Sequence, residues 1–292
     1  MSKIENKISQ VIAFGNSYSD NGEARRISSI ILSNKNSPKD AFLKPTEGLY
    51  WNGRYSNGYA AIELLAKRLD VNLVSYATGG ATSGKENYTD WMDTLGDTGV
   101  LGQIDRFEKN LSTNEIDSNA LYFIFASEND YFAYMDFNKQ GSIEELAYTV
   151  IDNIKNAIKK LAKIGAKKFF VVNCSDLSLV PYENTMNRTD SAKEFVKIVN
   201  ENLPKNLKEL QSELNVSIIE FDHTFVSNDI VQNPNKYALK VLTKEYQSTY
   251  PEIMTSSGDE SEYYFWDEWH FSYTTNKIFA NAMYHTILKR YR

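Results

Sequence analysis

The chain of 292 residues contains a single cysteine, Cys174, and few residues that interrupt regular structure. One cysteine excludes an intrachain disulfide and any zinc site built on several cysteines. The 14 glycines and 6 prolines are too few for a collagen-like or linker-rich chain. Uncharged apolar runs such as 120–126 reach about a third of the ~20 residues that a membrane-spanning helix requires, so no transmembrane segment is predicted.

Charge and aromatic content narrow the class of protein further. The 32 basic and 38 acidic residues give a net charge of −6 and an isoelectric point near 5.3. The sequence has no basic face, which excludes nucleic acid as a partner. The 15 phenylalanines and 19 tyrosines can bury more area than ordering the chain costs, so a disordered protein is excluded as well. No repeat, low-complexity tract or change in composition divides the sequence, and a single domain over 1–292 is expected.

The N-terminal residues show no signal-peptide pattern before the first apolar run, which begins at residue 11. These residues alone therefore predict a cytoplasmic location or export without a leader. A leader peptide that had already been removed would leave the same sequence.

Five short runs rich in β-branched and aromatic residues predict strands. They lie at 10–14, 72–76, 121–126, 168–172 and 216–221. Most are continuous apolar runs rather than alternating ones, as expected of parallel strands covered on both faces. Segments with helical spacing lie between and after them, at 58–69, 103–111, 142–164, 191–214 and 273–289. This alternation predicts an α/β fold in which an open parallel sheet lies between two layers of helices.

Polar and glycine-containing segments follow the predicted strands, at the edge where open α/β sheets bind their ligands. Ser17 follows the first strand and is a candidate nucleophile, or else a helix cap. Gly79 and Gly80 follow the second strand and let a backbone N–H approach a ligand closely, although a tight turn explains them equally well. Asn129 follows the third strand and either donates to an oxyanion or forms an Asx-turn.

Three histidines are the candidates for a general base. His270 follows Asp267 in a turn, where the carboxylate is close enough to accept from Nδ1–H and select the tautomer. His223 follows the fifth strand and is the second choice, whereas His285 lies inside the last helix as a packing or surface residue. An Asp-x-x-His pair is a weak signal by itself, because a structural turn also explains it.

In combination, these segments resemble the SGNH, or GDSL, hydrolase superfamily, in its bacterial lipase, phospholipase and acyltransferase branch. Residues 14–22 (FGNSYSDNG) are similar to its first block, 79–83 (GGATS) to the second, 129–130 (ND) to the third and 267–270 (DEWH) to the last. The segments 53–58, 100–105 and 233–237 are similar to the same branch. The resemblance covers almost the whole chain.

The resemblance implies a flavodoxin-like three-layer sandwich with a five-stranded parallel sheet, secretion from the cell, and a Ser-His-Asp triad without metal or cofactor. Ser17 would attack an ester carbonyl, His270 would take and return the proton, and Asp267 would orient His270. The oxyanion hole would consist of the Ser17 N–H, the Gly80 N–H and the Asn129 side-chain amide.

Four positions depart from the family pattern. They are Asn16 in place of Asp, Tyr18 in place of Leu, Ser127 in place of Gly and Phe271 in place of Pro. These departures put the rate and the substrate pocket in question more than the reaction class. Asn16 keeps the shape of Asp without its charge, so Asn16→Asp is expected to change the rate by less than about tenfold.

The sequence therefore predicts a serine ester hydrolase for carboxylic esters, most of all lipid or phospholipid acyl esters. A carbohydrate O-acetylesterase and a binding module without turnover stay open as alternatives. Aromatic residues near the motifs, including Tyr50 and Trp269, belong either to an acyl pocket or to an ordinary core. The expected partner is a small-molecule or lipid ester, with no nucleic acid and no membrane span, and transient contact with a membrane surface is compatible with it.

Overall fold

The central sheet contains the five strands predicted from the sequence. In the computed structural model, which describes residues 8–111, 116–249 and 251–291, neighbouring strands of this sheet are parallel. The strands are β1 (Gln10–Gly15), β2 (Asn72–Ser75), β3 (Leu121–Phe125), β4 (Lys168–Val172) and β5 (Ser217–Phe221). Each agrees with its predicted bounds to within one residue at either end.

The strand order is β2-β1-β3-β4-β5, which is the flavodoxin-like order. The chain steps from β1 to β2 in one direction along the sheet and returns past β1 to β3, β4 and β5 in the other. Because crossover connections are right-handed, this reversal places helices on opposite faces of the sheet. The predicted α/β class and five-stranded parallel sheet are confirmed.

Helices surround the sheet. The described helices are α1 (Glu23–Ser33), α2 (Ala61–Leu69), α3 (Val100–Asn110), α4 (Glu128–Asp136), α5 (Ile143–Lys163), α6 (Pro181–Thr185), α7 (Thr189–Leu214), α8 (His223–Gln232) and α9 (Tyr273–Tyr291). Helix α5 packs against α7 and α3, while α2 packs against α9. The five predicted helices correspond to α2, α3, α5, α7 and α9.

Helix α5 shows why the helical periodicity was a reliable signal. Its apolar residues recur at spacings of three and four, and those from Ala147 to Leu161 form one buried stripe. The helix begins with a capping box, in which the Ser142 hydroxyl accepts from the Glu145 N–H and the Glu145 carboxylate accepts from the Ser142 N–H. It ends before Gly165, whose φ of 117° is in the region that favours glycine.

Two small sheets lie between β5 and α9. Strands β6 (Val241–Glu245) and β9 (Tyr263–Phe265) pair in parallel, and β7 (Gln247–Ser248) pairs antiparallel with β8 (Met254–Thr255). They were not predicted, because strands of two to five residues are too short to show a recognisable period. They lead directly into the Asp-x-x-His segment.

Within the described ranges, no helix is both long enough and apolar enough to cross a membrane. The same residues contain no group of three or more His, Cys, Asp or Glu that could hold a metal ion. Cys174 is a free, buried thiol.

Candidate active site

A cleft of about 270 Å³ lies at the carboxyl end of the sheet. It is lined by residues from the segments that follow β1, β2 and β3, by the loop between α1 and α2, and by the turn before α9. Of the five residues assigned to the triad and the oxyanion hole, four line it together, namely Ser17, Gly80, Asn129 and His270. The fifth, Asp267, is fully buried behind His270. The structure thus brings together side chains that lie up to 253 residues apart in the numbering of the chain.

The Asp267 carboxylate holds the His270 ring. Its Oδ2 lies 2.7 Å from His270 Nδ1, and its Oδ1 accepts from the backbone N–H groups of Trp269 at 2.8 Å and His270 at 2.6 Å. Burial raises the pKa of this carboxyl, but the imidazole and the hydrogen bonds outweigh burial and hold the pKa below its usual value. An ionised Asp267 keeps the proton on Nδ1, which leaves Nε2 to act as a base.

Tyr50 is a partner of Asp267 that the sequence analysis missed. Its hydroxyl donates to Asp267 Oδ2 at 2.5 Å, and its ring lines the cleft. The sequence carries no signal for this contact, because the two residues are 217 positions apart and Tyr50 lies in an irregular loop. The hydrogen bond adds a second restraint on the carboxylate that orients His270.

Ser17 lies in the turn after β1, and its position excludes the helix-cap alternative. Helix α1 begins at Glu23, six residues later. The capping role belongs to Asp20, whose carboxylate accepts from the N–H groups of Gly22, Glu23 and Ala24. Among the described residues, no hydrogen bond joins the Ser17 hydroxyl to His270, and such contacts are often loose before substrate binds.

Asp20 also joins the first and second motifs. Its Oδ2 accepts from the Gly79 N–H at 2.7 Å, so one buried carboxylate fixes the Ser17 turn relative to the glycine pair. Burial raises the pKa of Asp20 to about 6, although its backbone hydrogen bonds lower it. The contact fixes how far Gly80 lies from the turn that carries Ser17.

The glycine pair is required by backbone conformation and by close packing. Gly80 has a φ of 83°, and a Cβ there would lie 2.3 Å from the Asn87 side-chain oxygen. A Cβ on Gly79 would lie 2.2 Å from the Tyr55 hydroxyl. Only glycine therefore brings the Gly80 N–H to this wall of the cleft.

Asn129 lies in the first turn of α4. Its side-chain amide donates one hydrogen bond to the Ala81 carbonyl at 3.0 Å, which fixes the orientation of the amide. An amide nitrogen carries two hydrogens, so a second donor is left for a ligand in the cleft. Ser127, at the N-cap of α4, has a φ of 176°, outside the left-handed region that favours glycine, so the position does not require Gly for that conformation.

The Asn16 departure has a partner that sequence reasoning did not consider. Asn16 Nδ2 donates to Glu128 Oε2 at 2.8 Å, while its Oδ1 accepts from the Tyr18 N–H at 3.0 Å. Glu128 also accepts from the N–H and hydroxyl of Ser175, both at 3.1 Å. Asn16 and Glu128 are each 1% exposed, and burial raises the pKa of Glu128. An amide at position 16 is therefore the complement of this buried carboxyl group.

This pairing predicts an effect of Asn16→Asp on stability, while the expected change in rate stays a prediction. The variant puts two carboxyl groups in contact inside the protein, where one must keep a proton. Because the folded state then holds a proton that the unfolded chain releases, stability falls as pH rises above the usual aspartate pKa. We expect a loss of about 3 kcal/mol at pH 8, equivalent to about two pKa units, and a smaller loss at pH 5.

The measurement is thermal unfolding at both pH values, with the double variant Asn16→Asp/Glu128→Gln as control. In the double variant the carboxylate is at position 16 and the amide is at position 128, so the two side chains can form a hydrogen bond again. The double variant should therefore regain most of the lost stability. If Asn16→Asp alone matches the wild type at pH 8, the hydrogen bond to Glu128 does not decide the residue at position 16.

Two further departures from the family pattern contact each other. The rings of Tyr18 and Phe271 stack with centroids 4.5 Å apart, and the Tyr18 hydroxyl donates to the Trp269 carbonyl at 2.9 Å. This contact braces the His270 segment against the Ser17 turn. The replacements of Leu and Pro are therefore one packing change rather than two.

His223, the second-choice base, does not line the cleft. It is buried at the start of α8 and stacks on Phe279, with ring centroids 3.8 Å apart. Among the described residues its Nε2 has no hydrogen-bond partner, and burial lowers its pKa to about 3. It is a neutral packing residue, and its position outside the cleft does not support it as the base.

Comparison with known proteins shows which family this chain is similar to. The family model for GDSL-like lipases and acylhydrolases matches residues 11–283. A GDSL esterase/lipase of Arabidopsis thaliana is 26% identical over 333 residues, covering 95% of this chain and 91% of that protein. A phosphatidylcholine-sterol acyltransferase of Aeromonas hydrophila is 24% identical over 233 residues, covering 79% and 63%. The crystal structure of an acetylxylan esterase from Geobacillus stearothermophilus is 14% identical with a TM-score of 0.47, covering 96% of each chain.

The family match extends from β1 into α9 and includes every segment that lines the cleft. It confirms the resemblance inferred from the sequence blocks. The chain therefore belongs to the GDSL-like lipase/acylhydrolase family and is a carboxylic ester hydrolase.

Proposed function

We propose that this esterase cleaves lipid or phospholipid acyl esters through an acyl-enzyme formed on Ser17. The observation that carries the proposal is the shared cleft of Ser17, Asn129 and His270, together with the hydrogen bond between Asp267 and His270 Nδ1. A hydroxyl, a base with its free nitrogen available and hydrogen-bond donors are the groups that acyl transfer requires.

In the first half-reaction, Ser17 Oγ attacks the ester carbonyl while its proton passes to His270 Nε2. The tetrahedral intermediate expels the alcohol, which takes that proton from His270. Water repeats the sequence on the acyl-enzyme, releasing the acid and restoring Ser17. Asp267 stays ionised throughout, because it stabilises the imidazolium without taking its proton.

The oxyanion would accept hydrogen bonds from the Ser17 N–H, the Gly80 N–H and the Asn129 side-chain amide. All three residues line the cleft, and two of them are restrained by their surroundings. Gly80 is restrained because its neighbour Gly79 donates its backbone N–H to the Asp20 carboxylate. Asn129 is restrained because its side-chain amide donates to the Ala81 carbonyl. Donors held in place before the reaction cost no reorganisation when the negative charge develops.

The walls of the cleft favour an apolar acyl group over a bare acetyl group. The lining includes the aromatic side chains of Phe42, Tyr50, Tyr55, Tyr88, Phe132 and Trp269. Each methylene that such a wall removes from water contributes about 0.8 kcal/mol. The Aeromonas hydrophila relative is named for a phospholipid, phosphatidylcholine, and this name agrees with a preference for lipid acyl groups.

We expect kcat/KM for 4-nitrophenyl esters to rise at least about tenfold from acetate to octanoate, because the longer chain buries methylenes against the aromatic wall. Initial rates with acetate, butyrate and octanoate measure this dependence. Phe42→Ala is expected to flatten it, since Phe42 lines the cleft yet is 49% exposed and carries little of the fold.

The matched control is Phe225→Ala, which removes an equally large ring at a site 71% exposed and outside the cleft. It should leave the chain-length dependence as in the wild type. Activity confined to acetate would reject the lipid proposal in favour of a carbohydrate O-acetylesterase.

A further inference from the structure

Lys44 is a charged residue of the cleft that the proposed reaction does not use. It lies in the loop between α1 and α2, and its backbone N–H donates to the buried Ser28 hydroxyl of α1 at 3.0 Å. Among the described residues that line the cleft, it is the one lysine or arginine. The hydrogen bond to Ser28 therefore ties Lys44 to α1, in the same cleft that Ser17 lines.

The Lys44 ammonium has polar and aromatic neighbours but no ion-pair partner in the described part of the chain. Nζ donates to the Thr89 hydroxyl at 2.6 Å and lies 5.3 Å from the Phe42 ring centroid and 5.8 Å from that of Trp91. An ammonium has three hydrogens to donate, so two are left over. Thr89 also lines the cleft, and its hydroxyl accepts from Nζ while keeping its own hydrogen to donate.

The carboxylates of the cleft are already engaged with other groups. Asp136 accepts from Arg188 at 2.7 Å and from the Tyr88 hydroxyl at 2.9 Å. Glu128 is engaged by Asn16 and Ser175, as described above. The positive charge of Lys44 is therefore not balanced by the acids that share its cleft.

A half-buried ammonium without a counter-charge is costly, and burial lowers the pKa of Lys44 to about 8. An anion in the cleft would remove that cost. Such an anion would accept from the two remaining Nζ hydrogens and from the Thr89 hydroxyl, and charge-assisted hydrogen bonds of this kind are stronger than neutral ones.

We propose that Lys44 and Thr89 bind an anionic group, a phosphate or a carboxylate, that the substrate carries in addition to its scissile ester. The proposal rests on the proposed function, because it assigns the charge of the ester that Ser17 attacks. The anion would be part of the alcohol in a lipid with a phosphate headgroup, and part of the acid in a monoester of a dicarboxylic acid.

Two pairs of esters separate these sources. The first compares lysophosphatidate with the monoacylglycerol of the same acyl chain, and the second compares 4-nitrophenyl hydrogen succinate with 4-nitrophenyl butyrate. We expect the wild type to prefer the anionic member of at least one pair by about tenfold or more in kcat/KM. The preferred pair identifies whether the anion belongs to the alcohol or the acid.

Lys44→Met should reduce that preference at least about tenfold, and Lys44→Arg should keep most of it. Lys39→Met is the matched control, since it removes the same charge from an exposed position of the same loop. Lys39→Met should prefer the anionic ester of the pair as strongly as the wild type does. A change in rate that affects both esters of a pair equally cancels in the ratio of their kcat/KM values.

Equal kcat/KM values within both pairs for the wild type would overturn the proposal without any variant. A preference that survives Lys44→Met would overturn it as well. Turnover of the neutral esters that is lost in Ser17→Ala would show that the proposed function still holds. A wild type that cleaves none of the four esters would reject the proposed function and, with it, this assignment.

Discussion

Ser17→Ala is expected to abolish ester hydrolysis, with a loss on the order of 10⁶ in kcat. The variant removes the hydroxyl that forms the acyl-enzyme, and the rest of the cleft cannot replace it. The fold should be unaffected, because no described hydrogen bond depends on the Ser17 hydroxyl. The measurement is kcat with a 4-nitrophenyl ester, with thermal unfolding to confirm the fold.

Ser19→Ala is the control within the same turn. Its hydroxyl is buried without a hydrogen-bond partner among the described residues, so removing it tests only the disturbance of the turn. This variant should keep most of the wild-type turnover. If Ser17→Ala also kept most of it, Ser17 would not be the nucleophile.

His270→Ala is expected to reduce kcat by about 10⁴-fold or more, since the nucleophile loses the base that takes its proton. His223→Ala should leave kcat within about tenfold of the wild type and lower the melting temperature instead, because it opens a cavity beside Phe279. Steady-state kinetics and thermal unfolding of both variants measure the contrast. The opposite pattern would make His223 the base and reject the role assigned to the Asp267–His270 pair.

The sheet and the long helices were predictable because each depends on a local pattern. The run 168–172 begins with Lys168 and continues with four apolar residues before the polar Asn173, and it forms β4 with those bounds. Helix α4 escaped prediction because its acids are buried rather than exposed. Asp130 accepts from the N–H and hydroxyl of Ser83, and Glu128 is paired with Asn16 and Ser175. A periodicity of apolar and polar residues does not reveal such pairing.

The motif residues of the cleft were predictable from the sequence, whereas the residues from other segments that surround them were not. Ser17, Gly80, Asn129 and His270 belong to short blocks with their own sequence signal. Tyr50 holds Asp267 from a loop, and Lys44 enters the cleft from the same loop. Such contacts join residues far apart in the chain and become visible only when the fold brings them together.

The departures from the family pattern also depend on contacts between residues that lie far apart in the chain. The sequence shows Asn16, Tyr18 and Phe271 as separate replacements. In the structure, Asn16 is the partner of Glu128 across 112 positions, and Tyr18 stacks on Phe271. Their physical reason lies in residues that no local comparison would place beside them.

Labelling with a fluorophosphonate probe measures whether Ser17 is a nucleophile that His270 activates. The Ser17 oxygen would displace fluoride from phosphorus, leaving a covalent phosphonyl ester that peptide mass spectrometry can locate. We predict a single label on the peptide that contains Ser17, no label there in Ser17→Ala, and much slower labelling in His270→Ala. A folded wild-type protein that stays unlabelled, or carries the label on another serine, would show that Ser17 is not the nucleophile.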